Sequence, residues 1–170
     1  MNTKTEGQIL AEAFESVRNL TKLYFSHLDD KFLHTRYEVN GVKFNSAYWI
    51  AAHLVWSEHF LIVQGVGNKD MEIPWLDEFG FGSNPDEVSQ EHDIKKILDK
   101  MDEIHAESMK ILNKLTDEDI ESPNYINAAF GQKNTIGAVI RHCIRHEPMH
   151  VGQISWIIKM CGGKTGSSRG

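Results

Sequence analysis

Residues 144–154 read IRHEPMHVGQI, and inside them the run HEPMH, His146 to His150, decides how the chain folds and what it holds. The letters match the H-E-x-x-H pattern of zinc proteases, in which two histidines one turn apart bind the metal and the glutamate acts as base. Pro148 stands between the two histidines, where it removes a backbone donor and bends a helix. Outward from this run, apolar residues recur at three- and four-residue steps from Thr135 to the double glycine Gly162–Gly163. That spacing predicts one long helix with the histidines at its middle. Two imidazoles at i and i+4 share a face, which is the geometry for sharing one cation.

At about 100° per residue, His142, His146, His150 and Gln153 fall within an arc of about 80° together with Val139 and Ile157. Arg141, Arg145 and Lys159 fall on the opposite side. The histidines are therefore expected to face the core, where polar rings need hydrogen bonds, carboxylates or a metal. A catalytic metal usually takes a third protein ligand. Beyond Glu147 the chain has no Asp, Glu or His except His150, and the longer pattern H-E-x-x-H-x-x-G-x-x-H fails at Gln153 and Trp156. A third ligand has to come from upstream.

The upstream chain supplies three more amphipathic helices. Thr5 to His27 carries Ile9, Ala13, Phe14, Val17, Leu20 and Tyr24 at helical steps. The segment 32–44 contains VNGVK, whose Asn-Gly pair marks a tight turn in a loop or small hairpin. Asn45 and Ser46 are N-cap candidates for a second helix reaching about Gln64. Residues 65–86 form a long Gly- and Pro-rich connection, of a kind that tends to be functional or to cover something. A third helix is expected over Ser89 to Leu115, followed by a short turn of helix in TDEDIESPN that breaks at Pro123. Four long helices with no train of strands predict an all-α helix bundle in a single domain, 1–163, with a flexible tail, 164–170.

On the second helix the wheel groups His53 with Trp49, Trp56, Phe60 and Ser57, an aromatic side expected to face the core. His59 lies about 120° away and is the weaker candidate. His27, His34, His92 and His105 are read as surface or capping residues.

Composition narrows the function classes. The chain has 170 residues, 41% apolar and 25% charged, with a formal charge of -6. An acidic balance gives no field that would attract duplex nucleic acid or an anionic membrane. No stretch reaches the ~20 apolar residues of a membrane span, and the first ten residues lack a signal-peptide core, so a cytoplasmic location is expected. Cys143 and Cys161 share the last helix about 27 Å apart by its rise, too far for a disulfide.

The segment NSAYWIAAHLVWSEHFL, residues 45–61, followed nearly ninety residues later by IRHEPMHVGQI, resembles the DinB/YfiT-like superfamily of bacterial four-helix proteins. The H-x-x-x-H-x-G-Q piece is its most specific part. The resemblance implies a four-helix bundle running up-down-down-up, with a mononuclear divalent metal, zinc or nickel, on His53, His146 and His150. It also implies coordination positions open to water or substrate, and activities such as S-transfer that depend on a low-molecular-weight thiol. Homodimers are common among such bundles. Pro148 departs from the family's usual residue there.

Three imidazoles on a dication leave it able to take up a thiol as thiolate, which suits attack on an electrophilic carbon of a small-molecule substrate. The same ligands suit a metal-dependent hydrolase, which would want a base, and a non-catalytic bundle would use them only to hold metal or ligand. Glu147 lies about 100° from the ligands and is read as an ion-pairing or supporting residue rather than the protease base. His142, Gln153 and Glu58 are further supporting candidates around the ligands. The loop WLDEFGF, 75–81, is expected either to fold over the open side of the site or to close one end of the bundle.

Overall fold

The computed structural model describes residues 4–89 and 91–164, and most of these are helical. Of the expected tail, 165–170 lie outside the described residues. Helix α1 spans Glu6–Ser26 and starts at Thr5, whose hydroxyl accepts from the Gln8 N–H while the Gln8 side chain accepts from the Thr5 N–H. That reciprocal pair satisfies two donors that the helix itself leaves open. The buried stripe of α1 runs Gly7, Ala11, Phe14, Arg18, Thr21, Phe25, alternating four- and three-residue steps.

A minimal hairpin follows, with Glu38–Val39 (β1) antiparallel to Val42–Lys43 (β2). Its two-residue turn places Asn40 and Gly41 at φ 52° and 77°, the left-handed region that the Asn-Gly pair tolerates. Helix α2, Ala47–Glu58, is capped by Ser46 and continues without a break into a wider π turn over His59–Gln64. The expectation that one aromatic side of this helix faces inward is corrected. Residues 47–55 are all buried, whereas Trp56 and Phe60 are only half-buried, because α2 is apolar almost all round and is covered on nearly every side.

The long connection contains a 3₁₀ segment, Pro74–Phe79. Helix α3 spans Ile94–Leu112 and starts later than the apolar spacing suggests, because the Asp93 carboxylate accepts from the Lys95 N–H and fixes the cap there. His92 and His105 are buried rather than superficial: the His92 N–H donates to the Tyr48 hydroxyl, and the His105 ring is discussed below. The short α4, Asp117–Glu121, matches the expected single turn before Pro123. Helix α5, Ile136–Met160, is capped by Thr135 and runs through Pro148. At its end the Gly162 and Gly163 N–H groups donate back to Lys159 and Ile158, with Gly162 at φ 81°.

Helix α1 packs against α3 and α5, and α2 against the same two helices. The apolar interior is divided in two. One cluster gathers Phe25, most of α2, Ile97 to Ile104 of α3 and Ile154 to Ile158 of α5. The other gathers Ala11 and Phe14 of α1, Leu61 and Ile62 beyond α2, Leu112, and Ile136 to Cys143 of α5. Between the two, the four long helices α1, α2, α3 and α5 contribute buried polar residues: Arg18 and Thr21, Ser57 and Glu58, His105 and Ser108, and Glu147. Among the described residues no helix is long and apolar enough to cross a membrane.

Gly7 marks the tightest approach of α1 to the end of α3. A Cβ there would sit 2.7 Å from the Leu115 Cβ and 2.8 Å from the Leu112 carbonyl oxygen, both anchored near backbone. Gly7→Ala is therefore expected to destabilise by about 1–3 kcal/mol despite alanine's higher helix propensity. A urea titration that shows a gain in stability would contradict this close contact.

Candidate metal centre

His53 sits midway along α2 with its ring stacked at 4.8 Å on Trp49 and at 5.9 Å on Trp56. Its Nδ1–H donates to the Phe79 carbonyl at 2.7 Å, so the 3₁₀ segment fixes both ring orientation and tautomer. Nε2 thereby keeps its lone pair unprotonated, as a ligand nitrogen must. The 75–81 loop accordingly supports His53 from behind. Within it Leu76 and Phe79 are buried and Trp75 packs against His92, whereas Phe81 is 94% exposed.

Across from His53, α5 presents His146 and His150. The Nε2 atoms of His53 and His146 are 3.4 Å apart, and those of His146 and His150 are 3.1 Å apart. One nitrogen from each of the three rings lies within 4.8 Å of the others. Two imidazole nitrogens on one tetrahedral zinc, each at about 2.0–2.1 Å, stand about 3.3 Å from each other, so three rings at these spacings could hold one ion. His150 Nδ1 meets Gln153 Oε1 at 3.1 Å, which sets its tautomer as Phe79 does for His53. The Ser57 hydroxyl is 3.3 Å from His53 Nε2. A single proton on His146 would satisfy one neighbouring lone pair and leave the other facing a lone pair, whereas a cation satisfies all three.

Burial pushes the His53 pKa down to about 4, with His150 adding to the effect and the Phe79 bond opposing it. Burial and then the neighbouring imidazoles His150, His53 and His142 push His146 down to about 3. Burial also lowers His150. All three rings are neutral near pH 7, the form that ligates a metal. His142 stacks on Phe130 at 3.9 Å and lies 5.6 Å from the His146 ring, so it borders the trio without offering it a nitrogen. His146 and His150 stand at the edge of the core rather than within it; the fully buried face of α5 is that of Ile140, Cys143, Glu147 and Ile154.

The structure brings together His53, His146, His150 and Gln153, and sends Glu58 and Glu147 elsewhere. Both carboxylates turn to Arg18, whose Nη2 donates to Glu58 Oε2 at 2.6 Å and to Glu147 Oε2 at 2.9 Å. Glu147 also accepts from the Thr21 hydroxyl, and Glu58 Oε1 lies 2.9 Å from His105 Nδ1. Burial raises the Glu147 pKa against the pull of Arg18. For Arg18 burial acts to lower the pKa, but the two carboxylates outweigh it and raise it. Arg18, Thr21 and His105 are the residues that motif reasoning misses. The signal for the first two was present, since they occupy the four- and three-step stripe that buries Phe14 and Phe25.

Burial also acts to lower the His105 pKa, but the bond to Glu58 outweighs it and the pKa is raised. A raised histidine contributes stability that is complete below its unfolded pKa of about 6.5 and lost as pH rises through the higher folded value. The urea midpoint is therefore expected to fall from pH 6 toward alkaline pH, and to fall less in His105→Gln. Equal slopes for the two proteins would rule out the coupling.

A helical protein with three convergent imidazoles is the class that fold and geometry define. The chain belongs to the DinB superfamily, whose family model matches residues 13–154. Among solved structures it is similar to a DinB-like protein from Bacillus cereus ATCC 10987, at 20% identity and a TM-score of 0.64, with 98% of this chain and 99% of that one covered. At that identity the likeness speaks for the fold alone. Among curated proteins none matches the chain.

Proposed function

We propose that the chain is a divalent-metal-dependent S-transferase in which His53, His146 and His150 hold zinc or nickel. The observation that carries the reading is the convergence of three neutral Nε2 atoms, two of them with tautomers fixed by Phe79 and Gln153. We place the site in an up-down-down-up four-helix bundle. Supporting this course, α1 and α5 pass from the Phe14 and Val139 cluster to the Phe25 and Ile154 cluster, and α2 and α3 pass the other way.

His53, His146 and His150 would hold the dication, whose positive charge would favour the thiolate form of a small thiol near neutral pH. The surrounding residues hold the rings in place: Phe79 and Gln153 keep them aimed, and Trp49 and Trp56 exclude water from the His53 side. The thiol loses its proton to solvent, its sulfur pair forms the new C–S bond, and the leaving group departs with the electrons of the bond that breaks.

Glu147 favours transfer over hydrolysis. It is the carboxylate that the protease pattern would use to activate water, and it is committed to Arg18 and Thr21. Metal-dependent hydrolysis and simple metal or ligand storage are the rivals. We place the protein in the cytoplasm with a small-molecule substrate, no nucleic-acid or membrane partner, and a homodimeric assembly that sedimentation velocity tests.

The deciding assay incubates the zinc- or nickel-loaded protein with 1-chloro-2,4-dinitrobenzene, with and without a low-molecular-weight thiol. Turnover is expected only with the thiol. Thiol-independent cleavage of an activated ester would favour the hydrolase, and silence in both assays the non-catalytic reading.

A further inference from the structure

We propose that the cleft between the hairpin and the C-terminal half of α5 binds the apolar body of the substrate, so that the electrophile is mainly aryl or alkyl in character. The proposal rests on the functional reading above and deepens it. The cleft has a volume of about 510 Å³, with Tyr37, Val39 and Phe44 on one wall and Trp156, Ile157 and Met160 on the other. That volume falls in the range of roughly 300–1,000 Å³ that holds small organic ligands. Lys43 is its one charged lining residue.

Both walls are held in place. The Tyr37 hydroxyl lies 3.0 Å from the Cys161 thiol at the end of α5, and the Phe44 N–H donates to the Tyr37 carbonyl at 2.8 Å. Arg36 Nε donates to the Phe44 carbonyl at 3.0 Å. The cleft is therefore formed before any ligand enters, which lowers the ordering cost of binding. Its apolar walls stand open to water, with Trp156 68% and Phe44 51% exposed, a cost that an apolar ligand would relieve.

Gln153 connects the cleft to the histidines. The side chain that lines the cleft is the one whose Oε1 meets His150 Nδ1. A molecule lying against Trp156 and Gln153 thus has its inner end one side chain away from the trio. That continuity selects a small substrate over a second copy of the chain as the occupant.

The test titrates metal-stripped protein with N-phenyl-1-naphthylamine, an uncharged arylamine whose emission rises when it leaves water. Saturable one-to-one binding is expected, weakened roughly tenfold or more by Trp156→Ala, as for truncation of a central aromatic contact. Phe81→Ser, which removes an exposed aromatic away from the cleft, should leave it unchanged. Binding that does not saturate, or that ignores Trp156→Ala, would overturn the proposal. So would sedimentation showing a dimer that Trp156→Ala dissociates. In the thiol-transfer assay the dye should raise KM without lowering kcat, and an unmoved KM would also count against the cleft. The same titration on His146→Ala protein separates the two ideas: binding that persists there while metal is lost leaves the cleft independent of the metal reading. If turnover is absent the functional reading fails by itself, and the titration alone decides the cleft.

Discussion

His146→Ala protein is expected to purify without stoichiometric zinc or nickel, and to keep the helical content and melting temperature of metal-stripped wild type. Structural zinc sites bind with about 10–16 kcal/mol of apparent free energy, so loss of one of three histidines removes roughly 3–5 kcal/mol, or two to four orders of magnitude in affinity. His146 is the better choice of ligand to remove because it is half-buried at the edge of the core. His53 is sandwiched by Trp49 and Trp56, and its truncation would also open a gap between them. Metal analysis of both variants checks the assignment. If His146→Ala retains one equivalent of metal, the trio is not the binding site.

The second large effect belongs to Arg18. Arg18→Met should cost about 3–5 kcal/mol, because it strands two buried carboxylates that share a single guanidinium nitrogen. A urea titration at pH 7 measures the loss. Replacing Glu58 and Glu147 as well, by Met and Leu, is expected to recover much of it, since a buried ion pair is often no more stable than well-packed apolar residues of similar volume. A loss below about 1 kcal/mol in the single variant would mean that the carboxylates escape to solvent and are not held as described.

Much of the fold was legible because its signals are local. Thr5, Ser46 and Thr135 each stand where a cap residue ought to stand, and each caps. The Asn-Gly pair made its turn. The histidines of α5 were legible from spacing, and His53 followed from the need for a third ligand. Long-range partnership was what the one-dimensional pattern hid. A helical wheel shows which side a residue takes but not what faces it, so Glu147 read correctly as an ion-pairing residue but without a partner, and Arg18 drew no reading. His105 looked superficial because its partner, Glu58, is 47 positions away. The start of α3 was displaced because Asp93 competes as a cap with the apolar spacing before it. Pro148 does not end α5, whose helix continues through it.

The polar layer between the two apolar clusters also governs longitudinal register. Apolar surfaces tolerate sliding, because one leucine can replace another against the same neighbour. A slip of α5 by one turn, about 5.4 Å along α1, would carry Glu147 out of reach of Arg18, leaving a buried carboxylate without its cation and Arg18 with Glu58 alone. Glu147 adjoins His146 in sequence, and Glu58 follows His53 by little more than one turn. The guanidinium that binds both carboxylates therefore sets the height at which the two helices bearing the histidine trio face each other. In this chain the gauge for the histidine trio lies on a third helix that supplies no histidine to it.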